Sequence, residues 1–321
     1  MTSGNKQQSG FALITVLLVV AIVAMIASQL VYQQALDIKR TESRLNQAQS
    51  LAVANGMEIW VKKGLKLDAS LNRTDHLQEK WAAPMPPIPF AGGEVSGRLI
   101  DLQGHFNLNN LADPDKEGVK IWQQIAQRLL LHLKLDSQLE SVISDWVDSD
   151  NVARLDGAES DFYLLKNPSY RAGNQNLIQL KELALLKGFS PPVMQVLEPY
   201  VAALPKVTTI NINTAPKLVL SALADWMNDQ VSQAWIEQRK TDPATSVAEF
   251  RRFLAQQTGL DTKEIATVIQ DDVVSVATHF FLLEGRFNYG VVQQQVDTLL
   301  YRENENNVVL IQRWFGMTNN G

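Results

Sequence analysis

Hydrophobic and polar positions change pattern several times along the chain. From Phe11 to Ala27 the only polar side chain is Thr15, so the run is close to the ~20 residues a helix needs to cross a bilayer. Beyond it, apolar or small residues recur at Ile38, Leu45, Ala48, Ala52 and Ile59, spaced by threes, fours and sevens as on one face of a helix. No proline or glycine falls between Phe11 and Asn55. The pattern predicts one continuous helix of roughly 45–50 residues, its first half in lipid and its second half carrying a stripe for packing against a folded domain.

The prolines of "WAAPMPPIPFAGG", from Pro84 to Pro89, predict an extended, polyproline-like connector. Val95, Leu99 and Phe106, with a turn at Gly104, read as a strand pair. From about Asp113 to Val274 the period becomes helical. Ile121, Ile125, Leu129 and Leu133 share a face, and shorter helices follow, several entered through proline or an Asp, Ser or Thr cap. "KELALLKGFSPPVMQVLEPYV" and "AEFRRFLAQQTGLDTKEIATVIQDDV" both place an amphipathic helix after a glycine turn, at Gly188 and Gly259, and read as a weak repeat of helical hairpins. From Ser275 onward β-branched and aromatic residues return, with turn signals at Asn288–Gly290 and Asn304–Asn307. The expected class is α+β: a long helix packed on an antiparallel sheet, with a large all-helical domain inserted between strands.

At 321 residues the chain can bury one or two cores behind the apolar segment. It has no cysteine, which excludes disulfides, thiolate catalysis and cysteine-ligated metals. The 29 basic and 34 acidic residues leave a net charge of −5, which counts against general attraction to nucleic acid. A cleavable signal peptide would end in a small-residue cut site followed by a loop. Here Ala27 and Ser28 lead straight into the continuing helix pattern.

A short polar leader, "MTSGNKQQSG", meets the apolar run at Gly10–Phe11. That border resembles those of type IV pilins and type II secretion pseudopilins, in which a membrane peptidase cuts after the glycine and methylates the new terminus, here Phe11. Most members carry glutamate five residues after the cut; this chain has Thr15. An unpaired charge in an apolar filament core costs several kcal/mol, and the loss of the pairing glutamate suits a unique position rather than repeated stacking. With "LIDLQGHFNLNNL" (99–111), "SDWVDSD" (144–150), "DGAESDFY" (156–163), "YRAGNQNL" (170–177) and "ININTAP" (210–216) in order, the resemblance sharpens to the K-type minor pseudopilins of type II secretion systems.

That resemblance implies a prepilin leader at 1–10, a transmembrane stretch at 11–28, and the rest of the long helix, the connector and the first strands of a pilin-like domain at 29–112. It further implies an inserted helical domain at 113–274 and closing strands at 275–321. It implies a non-enzymatic subunit at the tip of the periplasmic pseudopilus that helps initiate assembly for protein export. The partners it implies are I- and J-type minor pseudopilins, prepilin peptidase and the inner-membrane secretion machinery. The location would be the bacterial inner membrane, single-pass, with the C-terminal domain in the periplasm. Lys6 before the span against Lys39, Arg40 and Arg44 after it favours the opposite topology on a naive positive-inside count; the leader's resemblance sets the expected orientation.

Asp145, Asp148, Asp150, Asp156, Glu159 and Asp161 crowd around a single base, Arg154. Oxygen-only ligands at irregular spacing suit a hard cation such as calcium, although the spacing is not that of an EF-hand and alone favours a solvated acidic loop. Resemblance to the K family implies calcium in the helical domain, for which Asp148, Asp150, Glu159 and Asp161 are the candidate ligands. A hydrolytic pair such as Asp145 with Asp148 is a further reading. "ININTAP" followed by "LVLSAL" also resembles the start of a helix-hairpin-helix, which gives the alternative of a membrane-anchored DNA-uptake subunit. The acids of "ADWMND" stand where its hairpin glycines should be, so no nucleic-acid partner is expected.

Overall fold

The computed structural model describes residues 7–90, 93–112, 119–289 and 292–317. The start of the leader, the expected helical-domain start at Asp113 and the turn glycine Gly290 lie outside the described residues. The first element is helix α1, Gln7–Leu71, of 65 residues. It is longer than the pattern predicts because it runs through Gly56 and Gly64, both facing open space, where a glycine costs only about 1 kcal/mol relative to alanine. It ends in an Asx turn, the side-chain oxygen of Asn72 accepting the Thr74 amide at 3.1 Å.

Ala54, Met57, Val61 and Leu65 form the buried stripe of α1. Met57, Val61 and Leu65 pack with Trp81, Phe281, Leu283 and Leu300, each large side chain contributing roughly 1.5–3 kcal/mol by leaving water. Glu58, buried in the same face, accepts from Thr298 at 2.8 Å and from Arg313 at 2.6 Å. The expected stripe through Ile38, Leu45 and Ile59 is instead solvent-exposed. The sheet meets α1 only from about Val53 onward and takes the opposite side of the helix.

Five antiparallel strands form the sheet under α1. β1, Met85–Phe90, is the proline-rich segment read as a connector. It pairs with β2, Gly93–Asp101, as an edge strand, where prolines that cannot donate a ladder hydrogen bond are tolerated. β2 does not turn back at Gly104 as expected. A 3-10 turn leads instead to β3, Phe106–Asn107, and the main chain enters the insert.

The insert contains α2 (Val119–His132), α3 (Leu139–Val147), α4 (Ser160–Leu164), α5 (Pro191–Leu197), β4 (Val201–Ala202), β5 (Ile210–Asn211), α6 (Lys217–Ala222), α7 (Asp229–Thr241), α8 (Val247–Thr258), α9 (Thr262–Val268) and β6 (Val274–Ser275). The chain then rejoins the sheet as β7 (Phe280–Tyr289), β8 (Val292–Asn304) and β9 (Asn307–Met317). Strand order is β1-β2-β7-β8-β9. Asp101 lies opposite Phe281, so the insert leaves and returns at adjacent points of one ladder. The β8–β9 hairpin closes at Asn304 opposite Asn307, where the turn is expected.

The hairpin echo extends to a duplication of the whole insert. β3 pairs in parallel with β4, and β5 in parallel with β6, so among the described residues the strands of the domain are two bridge-length ladders. "FNLNNL" opens the first unit and "ININTA" the second. Asn109 grips Leu177, accepting its amide and donating to its carbonyl at 2.8 and 2.9 Å. Asn213 grips Ala244 in the same way at 3.0 and 2.9 Å. Gly188 and Gly259 both take left-handed backbone, φ 86° and 74°, at the matching hairpin turns, a conformation that costs other residues about 1 kcal/mol or more. The acidic loop lies in the first unit, between α3 and Leu177.

Candidate metal centre

Helix α3 buries Val142, Ile143 and Val147 and ends with Asp148 as its C-cap. Asp145 and Asp148 are three residues apart and so share a face of the last turn. Both are buried, at the helix end whose free carbonyls already make the field negative. Two carboxylates there need a counter-charge.

The loop after α3 brings one. Arg154 Nη1 donates to Asp145 Oδ1 at 2.7 Å and to Asp148 Oδ2 at 2.5 Å, and the Arg154 amide donates to Asp145 as well. Asp156, at φ 66°, and Gly157 fold the loop over Asp145 so closely that a Cβ on Gly157 would fall inside the carboxylate. Lys187 Nζ holds this turn from the far side through the carbonyls of Asp156 and Gly157 at 3.2 and 3.1 Å. An aromatic wall of Trp146, Tyr163 and Tyr170 backs the site, Trp146 meeting Tyr163 edge-on at 5.1 Å and Tyr170 stacking on Tyr163 at 5.3 Å.

Glu159, the N-cap of α4, completes the cluster. It is only 4% exposed, and neither of its carboxylate oxygens has a hydrogen-bond partner; Asp148 Oδ1 is likewise unpartnered. Carboxylate oxygens of Asp145, Asp148 and Glu159 lie within 4.8 Å of one another. Burial, then the charges of Asp145 and Asp148, push Glu159 up to about 7. Burial also raises Asp148, against the opposing pull of Arg154. Orphaned buried oxygens are costly, and three carboxylates against one guanidinium leave negative charge uncompensated. The donor set is all oxygen and suits a hard cation such as calcium.

Of the candidate ligands, the structure brings Asp148 and Glu159 together and adds Asp145. It does not bring in Asp150 or Asp161. Asp150 turns away to accept the Val152 amide at 2.7 Å, and Asp161 is exposed in the first turn of α4. Sequence spacing leaves Asp145 out of the candidate ligands, although its i, i+3 relation to Asp148 is the available signal for placing it in the cluster. As a hydrolytic pair Asp145 and Asp148 are ill placed, because the same Arg154 nitrogen holds both. Asp68, Asp75 and Glu79 form a second carboxylate group that is already supplied with donors. Arg302 reaches Asp68 and Asp75 at 3.0 and 2.5 Å, and Trp81 Nε1 and the His76 amide reach Glu79.

The N-terminal segment has its own features. Thr15 Oγ1 donates back to the carbonyls of Phe11 and Ala12, so its hydroxyl is satisfied within its own helix. An 18-residue window of α1 reaches a mean hydropathy of 2.9 with none of it buried, so by length and composition the helix fits a single-pass inner-membrane anchor. Phe11 is exposed, and the surroundings of Gly10 are not among those described.

Residues 104–206 and 210–276, the two units of the insert, match the family described as type II secretion system (T2SS), protein K. A type II secretion system protein K from Pseudomonas aeruginosa is 32% identical over 97% of this chain and 94% of its own length. One from Klebsiella pneumoniae is 36% identical over 65% of this chain and 67% of its own. The fold matches the crystal structure of the GspK–GspI–GspJ complex from the enterotoxigenic Escherichia coli type 2 secretion system. The match is to one chain of that structure, with a TM-score of 0.76 at 25% identity, covering 87% of this chain and 100% of the matched chain. With the helix, the interrupted sheet and the duplicated insert all accounted for, the chain belongs to the protein K family and is a minor pseudopilin of a type II secretion system.

Proposed function

We propose that this subunit sits at the tip of the periplasmic pseudopilus, joined to I- and J-type minor pseudopilins through the free face of α1, and that it helps start pseudopilus assembly. The observation that carries this reading is the two-sidedness of α1. Ala54, Met57, Val61 and Leu65 occupy the sheet, while Ile38, Leu45, Ile59 and Leu67 lie on the opposite side, 53–62% exposed. At 100° per residue Gly56 falls in the middle of that outer stripe, and open space surrounds it. Small and apolar residues at near-heptad spacing suit a partner helix. The solved relative is a complex with GspI and GspJ.

The insert adds about 180 residues between β2 and β7, a bulk that disfavours stacking the subunit repeatedly, and Thr15 lacks the charge a stacked neighbour would pair. The leader is removed by prepilin peptidase between Gly10 and Phe11, the folded part faces the periplasm, and the inner-membrane machinery receives the helix. Calcium is held at Asp145, Asp148 and Glu159 and draws α3 and α4 together.

The test is co-purification of the full chain from membranes with tagged I- and J-type pseudopilins. Retention is expected, and Leu45→Asp should abolish it while leaving thermal unfolding of the folded part unchanged. A chain that passes through without either partner, or a Leu45→Asp variant retained as well as the parent, would overturn the assignment.

A further inference from the structure

The cation site contains a competitor supplied by the chain itself. Arg154 is the one basic residue between Asp145 and Asp161. Its Nη1 bridges Asp145 Oδ1 and Asp148 Oδ2 at 2.7 and 2.5 Å. Calcium takes oxygen at about 2.3–2.6 Å, so the nitrogen stands close to where an ion bound to the same two oxygens would stand. Two positive centres cannot share that point.

The remaining features of the site fit an exchange. Asp145 and Asp148 have side chains 0% and 1% exposed, whereas that of Arg154 is 23% exposed. The carboxylates are fixed in the last turn of α3, but Arg154 rides on an irregular loop with solvent beside it. The Arg154 amide donates to Asp145 through the backbone, so the loop can stay docked while the guanidinium leaves. Glu159, with both oxygens unpartnered, is the carboxylate the guanidinium leaves uncompensated, and an ion touching all three acids would satisfy it.

We infer that Arg154 is a displaceable internal counter-ion: its guanidinium closes the Asp145–Asp148 pair in the cation-free protein and moves out to solvent when calcium binds, so that it sets the affinity of the site. This rests on the proposed calcium site. Arg154 gives two buried acids a shared cationic partner before any ion arrives, and the cation must break two charge-assisted hydrogen bonds, the stronger kind in proteins, to enter. A neutral side chain at 154 would remove the competitor and with it the protection.

Calorimetric titration of the full chain in detergent with calcium chloride, after ion removal, tests the exchange with Arg154→Gln and Arg154→Lys. Arg154→Gln should bind calcium about tenfold more tightly or better and melt at a lower temperature in chelator. Arg154→Lys, a point charge without the planar fork, should fall between it and the parent. Labelling of Arg154 in the parent by phenylglyoxal, read by mass spectrometry, should rise when calcium is added.

Equal or weaker calcium binding by Arg154→Gln, or labelling of Arg154 that falls with calcium, would overturn the exchange while leaving the calcium site standing. Failure of both the parent and Arg154→Gln to bind would overturn the site itself. Binding by Arg154→Gln alone would support the exchange in its strongest form.

Discussion

Replacing Glu159 with glutamine should stabilise the calcium-free protein at neutral pH and at the same time abolish its response to calcium. The carboxylate is buried with no partner for either oxygen, beside Asp145 and Asp148. Burial and those neighbours raise it from 4.5 to about 7. A carboxylate raised in the folded state supplies stability that is whole below its unfolded value and lost as pH climbs through the folded one. Over that window of pH 4.5 to 7, about 1.4 kcal/mol per pH unit gives an order of ~3 kcal/mol of lost stability. Glutamine has the same shape, carries no charge and can donate to the neighbouring acids.

Thermal unfolding of the full chain in detergent, in chelator and in calcium at pH 5 and pH 7.5, reads the effect. The parent in chelator should melt lower at pH 7.5 than at pH 5 and recover with calcium. Glu159→Gln should melt several degrees above the parent in chelator at pH 7.5, keep only the smaller part of that pH trend that Asp68, raised to about 6, supplies, and gain nothing from calcium. A Glu159→Gln protein less stable than the parent in chelator, or one that kept the calcium shift, would refute the electrostatic account of the cluster.

Other expectations follow from the same contacts. Arg302→Met leaves the half-buried Asp68 and the buried Asp75 without their cation and should cost about 3–5 kcal/mol at neutral pH in urea unfolding. Asp68 is raised to about 6 by burial and then by Glu79 and Asp75, so that penalty should shrink as pH falls through 6, and a pH-independent loss would contradict the pairing. Asn109→Ala and Asn213→Ala each release a gripped backbone segment and should each cost about 2–4 kcal/mol; a loss from only one would break the equivalence of the two units. Gly10→Leu should leave an uncut precursor, because extended backbone beside a membrane helix leaves a peptidase little room for a side chain. Normal leader removal in mass spectra would contradict this.

Much of the architecture can be read from periodicity: the long helix, the late β-rich hairpins and the helical block between strands all leave clear patterns. What escapes depends on tertiary context. Gly56 and Gly64 look like stops, yet the sheet anchors α1 on both sides of them through Ala54, Met57, Val61 and Leu65. Pro84 to Pro89 look incompatible with a sheet, and only the edge position of β1 makes them acceptable. Ile38, Leu45 and Ile59 declare a sticky face without declaring what it meets.

At the site, acidity and spacing locate the loop, but choosing ligands requires knowing which carboxylates the chain turns inward. That is decided by the tight passage of Gly157 over Asp145 and by the Asx turn that directs Asp150 outward. Neither is visible before the loop is folded.

The absence of cysteine makes one measurement especially direct. In otherwise intact membranes, single substitutions Leu45→Cys and Ile59→Cys on the outer face of α1 can be oxidised against single cysteines placed along the helices of the I- and J-type pseudopilins. Glu303→Cys, near the β8–β9 turn, serves as the comparison. Disulfide-linked heterodimers from Leu45→Cys and Ile59→Cys, and none from Glu303→Cys, are the predicted result. Crosslinking no greater from the helix positions than from Glu303→Cys would contradict assembly through the free face of α1.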